Sequence, residues 1–452
     1  MSHAPTRDGV RYALLLLFFI NFLNFFDRTI PAVVLEPLRK EFKLDDTALG
    51  LLGTSFTLIY ALAGLPLGRL SDRWRRTRVL SAGVFTWSLM TAATGIAWNF
   101  FSFLLLRLGV GIGEASCAPA ANSMIGDMYP SKQRARALGI FMLGLPLGSL
   151  LCFSLVGQLA QTYGWRTPFF FASVPGFVVA LLMLLTCREP ARGSQEAYAV
   201  DAEAPPERPY RSLLVIPTFW WIILSGASVN FAAYALSTFL PALMVRYHQA
   251  SVAKAGGSAA IVLGVTGLLG LSFGGWVADK VHGAFPRGRL LLGSYSLLLA
   301  APLLWLGLGR PSGDVVGATV FLSFGWLLYF MYFVTVYASV QDVVGPRLRA
   351  TAMSVYFFFQ YVLGAGFGTL VTGALSDYYA KRAMREAGAE HLTEAMRASG
   401  LQASLVLVVP LTVLLTGVAL WFAARRFVAD AARASAGASR THGFRRGVGD
   451  RP

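Results

Sequence analysis

The chain has few of the side chains that carry most enzyme chemistry. Its 452 residues include 5 histidines, 3 cysteines and only 14% charged residues. The histidines all fall in predicted tails, loops or loop edges, and neither a His-Glu-x-x-His nor a Gly-x-Ser-x-Gly motif occurs. Cys117, Cys152 and Cys187 have neither disulfide nor metal-ligand spacing, so they are predicted to be small buried residues. The sequence therefore argues against an enzyme and predicts no metal and no organic cofactor.

Apolar residues, in contrast, make up 55% of the chain. They recur in runs of about twenty residues, the length that a helix needs to cross a hydrocarbon layer about 30 Å thick. Because the backbone polar groups of such runs must be satisfied internally, the runs are predicted to be transmembrane helices. The predicted spans 1 to 12 are residues 12–35, 47–69, 79–98, 101–126, 135–158, 168–187, 217–245, 257–279, 290–309, 315–342, 350–376 and 401–424.

The basic residues indicate how these spans are oriented. The net charge of +16 is compatible with nucleic-acid binding, but its densest clusters, at 73–78 and 132–136, lie on short loops. Short loops are where the positive-inside bias operates. With the N-terminus placed inside, about two thirds of the lysines and arginines fall on the cytoplasmic side. We therefore attribute the positive charge to the orientation of the chain in the membrane and expect no nucleic-acid partner. Both termini are predicted to be cytoplasmic.

Two short patterns recur in the second half of the chain in the same order. The pattern Gly-x-x-x-Asp-basic occurs at 68–73 and again at 275–280, and an Asp-Pro-Arg-Ala pattern that begins at Asp127 returns at Asp342. Each echo is displaced by six spans, which predicts a duplicated six-helix unit. The predicted organisation is an N-terminal bundle (1–187), a proline-rich cytoplasmic linker (188–212), a C-terminal bundle (213–427) and a disordered tail (428–452).

Two of the predicted spans carry charges in apolar surroundings. Span 1 contains Asp27 and Arg28, and span 4 contains Arg107 and Glu114, about two helical turns apart and hence on one helix face. A charge at the centre of a membrane helix costs at least about 2.5–3.5 kcal/mol. These side chains are therefore expected to face protein or a water-filled cavity. The alternative for the Asp27–Arg28 pair is a buried ion pair that only fixes packing.

Several of these motifs resemble the major facilitator superfamily. The stretch 68–76, GRLSDRWRR, resembles that superfamily's signature between helices 2 and 3, with Arg75 where the signature usually has glycine. The stretches 107–111 and 163–166 resemble its helix-4 motif and its helix 5–6 turn. The resemblance covers about residues 12–427 and implies an all-α fold of two pseudo-symmetric six-helix bundles.

Two longer stretches narrow the resemblance. Residues 21–38 and 107–141 are similar to the spinster branch, whose members move lipids such as lysophospholipids, and the Asp-Arg and Gly-Glu-Ala sequences within them also resemble anion:proton symporters of sugar acids. By this match Asp27 and Glu114 would be the protonation sites, and Arg28 and Arg107 their charge partners or an anion clamp. The residues implied as a gating latch are Gly68, Asp72, Arg73, Arg76, Asp127, Arg134, Asp279 and Arg349.

The second half of the chain has no ionisable residue in the interior of its predicted spans, but it has many hydroxyl, amide and aromatic side chains. We hypothesise that the first half carries proton coupling and the second half supplies a hydrogen-bonding wall. The predicted cavity residues are Asn21, Asn24, Asn230, Tyr234, Thr238, Tyr329, Tyr332, Thr335, Gln360 and Tyr361. For the aromatic residues of span 10, a lipid-facing or helix-packing surface is the alternative.

The resemblance thus implies a proton-coupled secondary transporter that works by alternating access and uses the proton gradient in place of any cofactor. A lysophospholipid or similar amphipathic lipid is the first expected cargo, and a small organic anion is the alternative. A non-transporting receptor or scaffold is the alternative of another class. The expected partners are the cargo, protons and membrane lipids, and the protein is expected to be a monomer in the bacterial inner membrane.

Overall fold

The computed structural model describes residues 7–192, 213, 215–284, 287–344 and 349–446, and this part of the chain contains helices and no β-strand. The first half forms α1 (Arg7–Val33), α2 (Leu35–Phe42), α3 (Asp46–Arg73), α4 (Arg76–Thr94), α5 (Phe100–Glu114), α6 (Cys117–Met128), α7 (Ser131–Met142), α8 (Gly144–Tyr163) and α9 (Thr167–Thr186). The second half forms α10 (Pro217–Arg246), α11 (Val252–Ala259), α12 (Thr266–Ala284), α13 (Gly288–Leu308), α14 (Val315–Asp342), α15 (Arg349–Phe359), α16 (Gly366–Glu386) and α17 (Glu394–Arg446). Two π-helical turns, Ala260–Val265 and Gln360–Ala365, join α11 to α12 and α15 to α16.

Eleven helical segments of the described chain are long and apolar enough to cross a membrane. They correspond to the predicted spans with one exception, span 3, which is α4. Helix α4 is less apolar because its 19 residues include Arg76, Arg78 and several Ser and Thr. It nevertheless packs lengthwise against α5 and α9. The all-helical fold is confirmed, and the count of twelve spans stays a prediction.

Two faces of the molecule are useful for orientation. The termini face is the one where α1 begins and α17 ends, and the opposite face is the one where α1 ends and α3 begins. Helices α1 and α4 to α9 pack mainly with one another, as do α10 and α12 to α17, whereas α3 packs chiefly on α16 and α11 chiefly on α8. The two bundles meet where α3 contacts α16, α8 contacts α11, and α1 contacts α10.

The bundles approach most closely near the opposite face. A Cβ atom on Gly50 of α3 would lie 2.4 Å from the carbonyl oxygen of Thr369, and one on Gly373 of α16 would lie 2.1 Å from that of Asp46. Only glycine fits such an approach of two backbones. The hydroxyls of Thr54 and Thr369 also lie 3.1 Å apart across this contact. The opposite face is therefore tightly closed.

Towards the termini face, α3 separates from the second bundle. Leu62 and Leu65 are 65% and 73% exposed. Among the described residues, a Cβ atom on Gly68 would meet only Pro119 of its own bundle. A cavity of about 460 Å³ lies here, lined by Leu65, Pro66, Arg69, Leu70 and Arg73. On this side α3 thus borders an open cavity in this conformation.

The C-terminal segment differs from its prediction. The tail expected to be disordered from residue 428 is helical as far as Arg446. Alanine and arginine, which dominate this segment, are among the strongest helix formers. Its first turns are also anchored, because the carboxylate of buried Asp430 accepts hydrogen bonds from the backbone N–H (3.1 Å) and the hydroxyl (2.7 Å) of Thr218 at the start of α10. Most of the predicted linker lies outside the described residues.

Candidate functional site

The charges predicted in spans 1 and 4 come together inside the protein. Arg28 donates two hydrogen bonds to Oε2 of Glu114, from Nε at 3.1 Å and from Nη2 at 3.0 Å. The side chain of Glu114 is fully buried and that of Arg28 is 13% exposed. This ion pair joins α1 to α5, so neither charge faces lipid.

Asp27 and Arg107 complete this charge cluster. Nη2 of Arg107 donates to the backbone carbonyl of Asp27 at 3.2 Å, and the Asp27 carboxylate accepts a long 3.4 Å bond from the hydroxyl of Thr91 on α4. Both charged side chains are almost completely buried. Among the described residues, no ion pair within 4 Å joins the Asp27 carboxylate to an arginine. Sequence reasoning missed Thr91, since a threonine in a polar helix has no distinctive signal.

The charge cluster, Asp27, Arg28, Arg107 and Glu114, contains two carboxylates and two guanidiniums. Their formal charges cancel only while both carboxylates are ionised. A buried charge without a partner is strongly destabilising. One proton added to the cluster therefore changes the electrostatic balance at the centre of the first bundle, and this is the property that a proton-sensing site needs.

Arg28 also lies at the junction of the two bundles. Its guanidinium carbon is 4.3 Å from the ring centre of Tyr60 and 5.3 Å from that of Phe56, both on α3. From the second bundle, Tyr234 of α10 and Tyr361 of the second π-helical turn interact electrostatically with it. The partly exposed Tyr234 and Tyr361 therefore belong to the same site, and Thr238 lies one helical turn beyond Tyr234.

Three predicted cavity residues of α14 are buried inside the second bundle and do not line the site around Arg28. Tyr329, Tyr332 and Thr335 are fully buried. The Tyr329 hydroxyl donates to the carbonyl of Val229 at 2.8 Å, and that of Tyr332 lies 2.9 Å from the hydroxyl of Ser225. These three side chains therefore pack inside the second bundle in this conformation. The reason is that helical periodicity directs this face of α14 towards α10 and α13.

The predicted amide side chains are also buried. Asn21 donates to the carbonyl of Phe141 at 2.8 Å, and Asn230 donates to that of Gln360 at 3.2 Å. Asn21 thereby ties α1 to α7, and Asn230 ties α10 to the π-helical turn. Asn24, in contrast, has a buried amide nitrogen with no partner in the described structure.

A second group of charges, not predicted from the sequence, holds the opposite face closed. The buried guanidinium of Arg246, at the end of α10, donates to both carboxylate oxygens of Asp46 at 2.7 and 2.9 Å and also to Glu36 of α2. Arg39 joins Glu36 to Glu394 at the start of α17. We call Glu36, Arg39, Asp46, Arg246, Asp377 and Glu394 the opposite-face network.

Asp377 contributes to this network by capping a helix of the other bundle. Its carboxylate accepts hydrogen bonds from the backbone N–H groups of Asp46 (3.1 Å) and Thr47 (2.8 Å), the first two residues of α3. A carboxylate at a helix N-terminus is stabilised by the free N–H groups and the helix dipole. Since α16 belongs to the second bundle and α3 to the first, this cap exists only while the opposite face is closed.

Comparison with known proteins identifies the family. A family model described as Major Facilitator Superfamily matches residues 17–369. The chain belongs to this superfamily.

Three similar proteins of the superfamily have names that describe different transport roles. An MFS-type efflux pump of Mycolicibacterium smegmatis is 30% identical over 429 residues, 95% of each chain. Human protein spinster homolog 1 is 30% identical over 400 residues, 83% of this chain and 74% of the relative. A probable L-galactonate transporter of Escherichia coli is 29% identical over 380 residues, 81% of this chain and 83% of the relative. The resemblance to the spinster branch is thus confirmed, and the chain is a multi-pass membrane transporter.

A solved structure also bears on the conformation. The crystal structure of a bacterial homologue of the human lysosomal transporter Spinster, in an inward-facing and unoccupied conformation, matches with a TM-score of 0.86. It is 31% identical, and the match covers 94% of this chain and 99% of that one. The two structures therefore share their fold closely, and in the chain described here the opposite face is closed.

The superfamily signature at 68–76 lies at the termini face. Arg76, which is 1% exposed, donates to Glu189 Oε1 and Ser123 at 2.8 and 2.9 Å and also contacts Asp127. All these partners belong to the first half of the chain, so within the described part of the structure Arg76 does not join the two halves. Two other predicted latch residues, Gly68 and Arg73, lie on α3. Arg73 forms no ion pair with any residue that the structure describes. The structure does not describe the side chains of the remaining four, Asp72, Arg134, Asp279 and Arg349.

Glu189 is held in place by hydrogen bonds from Arg76 and Thr77. Burial raises the pKa of its carboxyl group, but hydrogen bonds from the Thr77 backbone and from Arg76 outweigh burial and hold the pKa below its ordinary value. Arg192 adds to the contact by donating to the carbonyls of Ser71 and Trp74, at 2.8 and 2.7 Å, where α3 ends. The segment after α9 thus fixes the turn between α3 and α4.

Replacement of Arg76 is expected to destabilise the first bundle. In Arg76→Gln, Asp127 and Glu189 keep their positions but lose a buried cation, for which we expect a loss of about 3 kcal/mol. Thermal unfolding of the detergent-solubilised protein measures the effect. Arg75→Gln is the matched control, because Arg75 is exposed and is expected to change stability by less than about 0.5 kcal/mol. Equal unfolding temperatures for both variants would contradict this role of Arg76.

Proposed function

We propose that the protein is a proton-coupled transporter that works by alternating access, with Asp27 and Glu114 as its proton-carrying groups. The observation that carries the proposal is the Arg28–Glu114 ion pair, which lies at the junction of the two bundles and inside a charge cluster that is neutral only when both carboxylates are ionised. A proton taken up by Glu114 removes the charge that holds Arg28. Proton binding and the exposure of Arg28 to cargo are thereby linked.

The same residues suggest how a cycle proceeds. Released from Glu114, Arg28 presents a guanidinium beside the rings of Tyr60, Tyr234 and Tyr361, which come from both bundles. An anionic group bound there would draw the bundles together and favour closure of the termini face. Loss of the proton restores the ion pair and releases the anion. A ligand shifts such an equilibrium only through its different affinity for the two states.

A lysophospholipid or similar amphipathic lipid is the cargo we propose. A phosphate suits the Arg28 guanidinium, and the adjoining aromatic rings suit the apolar part of such a molecule. The similarity to spinster homologues supports this choice. The alternative is a small organic anion, which the two buried guanidiniums and the similarity to a probable L-galactonate transporter favour. We place the transporter in a bacterial inner membrane as a monomer, with bacterial relatives as support.

Flux measurements in proteoliposomes test the proposal. Purified protein is reconstituted, and uptake of a labelled lysophospholipid and of a labelled sugar acid is compared with and without a pH gradient, with protein-free liposomes as the blank. We expect lysophospholipid flux that the gradient accelerates. Gradient-driven flux of the sugar acid alone would favour the alternative cargo. Binding of either compound without any flux would identify a receptor and contradict a transporter.

A further inference from the structure

Of the seven buried polar side-chain atoms of the first bundle that lack a hydrogen-bond partner in the described structure, four belong to Asn24 and to members of the charge cluster. They are Nδ2 of Asn24, Oδ1 of Asp27, Nη1 of Arg107 and Oε1 of Glu114. Each residue is at most 2% exposed. Two of these atoms are donors and two are acceptors. Buried polar groups are nearly always satisfied by protein or by ordered water, so four such atoms in one region indicate a ligand.

The four atoms belong to residues of two helices, α1 and α5, which the Arg107–Asp27 and Arg28–Glu114 bonds join. Nη1 is bonded to the same guanidinium carbon as Nη2 of Arg107, which donates to the Asp27 carbonyl. Asn24 precedes Asp27 by about one helical turn on α1, so the two side chains lie on the same side of that helix. Glu114 and Arg107 both act electrostatically on the Asp27 carboxylate. The unpartnered atoms therefore belong to one space between α1 and α5, the one that the charge cluster occupies.

We propose that this space is a water-binding site that connects the two carboxylates. The donor and acceptor set matches one tetrahedral water molecule, which accepts hydrogen bonds from Asn24 Nδ2 and Arg107 Nη1 and donates to Asp27 Oδ1 and Glu114 Oε1. Internal waters typically make about three such bonds, in a range of about two to four. The inference rests on the proposed function only for its consequence, which is proton transfer.

The bound water would pass a proton between the carboxylates. When Asp27 is protonated, its O–H donates to the water oxygen in place of one of the two N–H donors. The O–H bond of Asp27 then breaks as a bond forms to the water oxygen, and one O–H bond of that water breaks as another forms to Glu114. One proton moves and the water is regenerated. The two carboxylates then act as a single coupled site, with Asn24 and Arg107 as positioning residues. The other titratable or charged groups that act on the two carboxylates are Arg28, Cys117 and Cys152.

Infrared difference spectroscopy tests the site without relying on transport. A strongly bound internal water has a discrete O–H stretching band that shifts when H₂¹⁸O replaces H₂¹⁶O. We expect such a band to change on acidification of the wild-type protein and to be absent in Asn24→Leu, which keeps the side-chain size but removes the donor. Ser88→Ala is the matched control, because Ser88 on α4 also has a buried unpartnered oxygen but lies outside the charge cluster. A band unchanged in Asn24→Leu would overturn the site.

Transport gives a second readout. In Asn24→Leu we expect gradient-driven cargo uptake to fall about tenfold or more. Uptake that the gradient accelerates as strongly as in the wild-type protein would overturn the relay. Failure of the proposed function looks different, since a pH gradient would then not accelerate flux even in the wild-type protein.

Discussion

Glu114→Gln protein should still exchange cargo across a membrane but should no longer accumulate it against a gradient. The amide keeps the size of the side chain and accepts a hydrogen bond from Arg28, but it cannot take up or release a proton. The variant therefore resembles the protonated state at every stage of the cycle. Cargo can then pass in both directions, whereas the proton gradient has no group through which to act.

The expected size of the effect follows from the energy of the gradient. One proton moving down a difference of one pH unit releases about 1.4 kcal/mol, which supports about a tenfold accumulation of cargo at a stoichiometry of one. The accumulation ratio of the variant should fall from about ten to about one. It is measured as the plateau of labelled cargo in proteoliposomes of known internal volume. Exchange of labelled for unlabelled cargo without a gradient shows that the protein remains active.

Asp27→Asn should abolish uphill accumulation as Glu114→Gln does. It should lower the stability of the folded protein less than Glu114→Gln. Asp27 has only the long hydrogen bond from Thr91, whereas Glu114 has a direct ion pair with Arg28. Glu386→Gln is a suitable control for both variants, because Glu386 forms an exposed ion pair with Arg382. Wild-type uphill accumulation by either neutral variant would show that the assignment of coupling is wrong.

Arg246→Met should open the opposite face. The guanidinium of Arg246 bridges Glu36 and Asp46, and all three side chains are at most 4% exposed. Without it, two buried carboxylates lose a cation in the closed arrangement, but in the open arrangement water solvates them. If the difference is about 3 kcal/mol, at the low end for a broken buried pair, the equilibrium shifts towards the outward-open state by about a hundredfold.

Distances between spin labels measure this shift. Thr162 of the first bundle and Glu390 of the second are exposed on the opposite face and accept labels after the three native cysteines are replaced by alanine. The Arg246→Met distribution should move to longer distances, and gradient-driven transport should slow because the closed state is rarely reached. Arg382→Met, which breaks only an exposed ion pair, should leave the distribution unchanged. An unaltered distribution in Arg246→Met would show that the opposite-face network does not control closure.

The contribution of Glu36 to the opposite-face network should also be insensitive to pH in the physiological range. Burial raises the pKa of Glu36, but hydrogen bonds and charges from Arg39 and Arg246 outweigh burial and lower the pKa from its ordinary value of 4.5. A carboxyl group with a lowered pKa contributes its stabilisation above its ordinary pKa and loses it only as the pH falls through the lowered value. In the proposed cycle, protons therefore act at the charge cluster and not at Glu36.

The sequence alone determined the helices and the candidate charges. A membrane helix needs a long apolar run, and that requirement is local, so the spans could be read directly from the chain. The same reasoning singled out Asp27, Arg28, Arg107 and Glu114, because a charge inside such a run is costly wherever the helix packs. The signature at 68–76 then indicated the superfamily. None of these inferences required knowledge of which helices touch.

The tertiary structure decided everything that depends on helix neighbours. Glu36 and Arg246 are separated by 210 positions in the chain and meet only because α2 packs against the end of α10. The three buried residues of α14 were expected to face a cavity, since hydroxyls and aromatic rings suit a cavity wall as well as a core. Which face of α14 is buried depends on the positions of α10 and α13. Pairing of Glu114 with Arg28, rather than with Arg107 on its own helix face, was likewise settled by the packing of α1 against the first bundle.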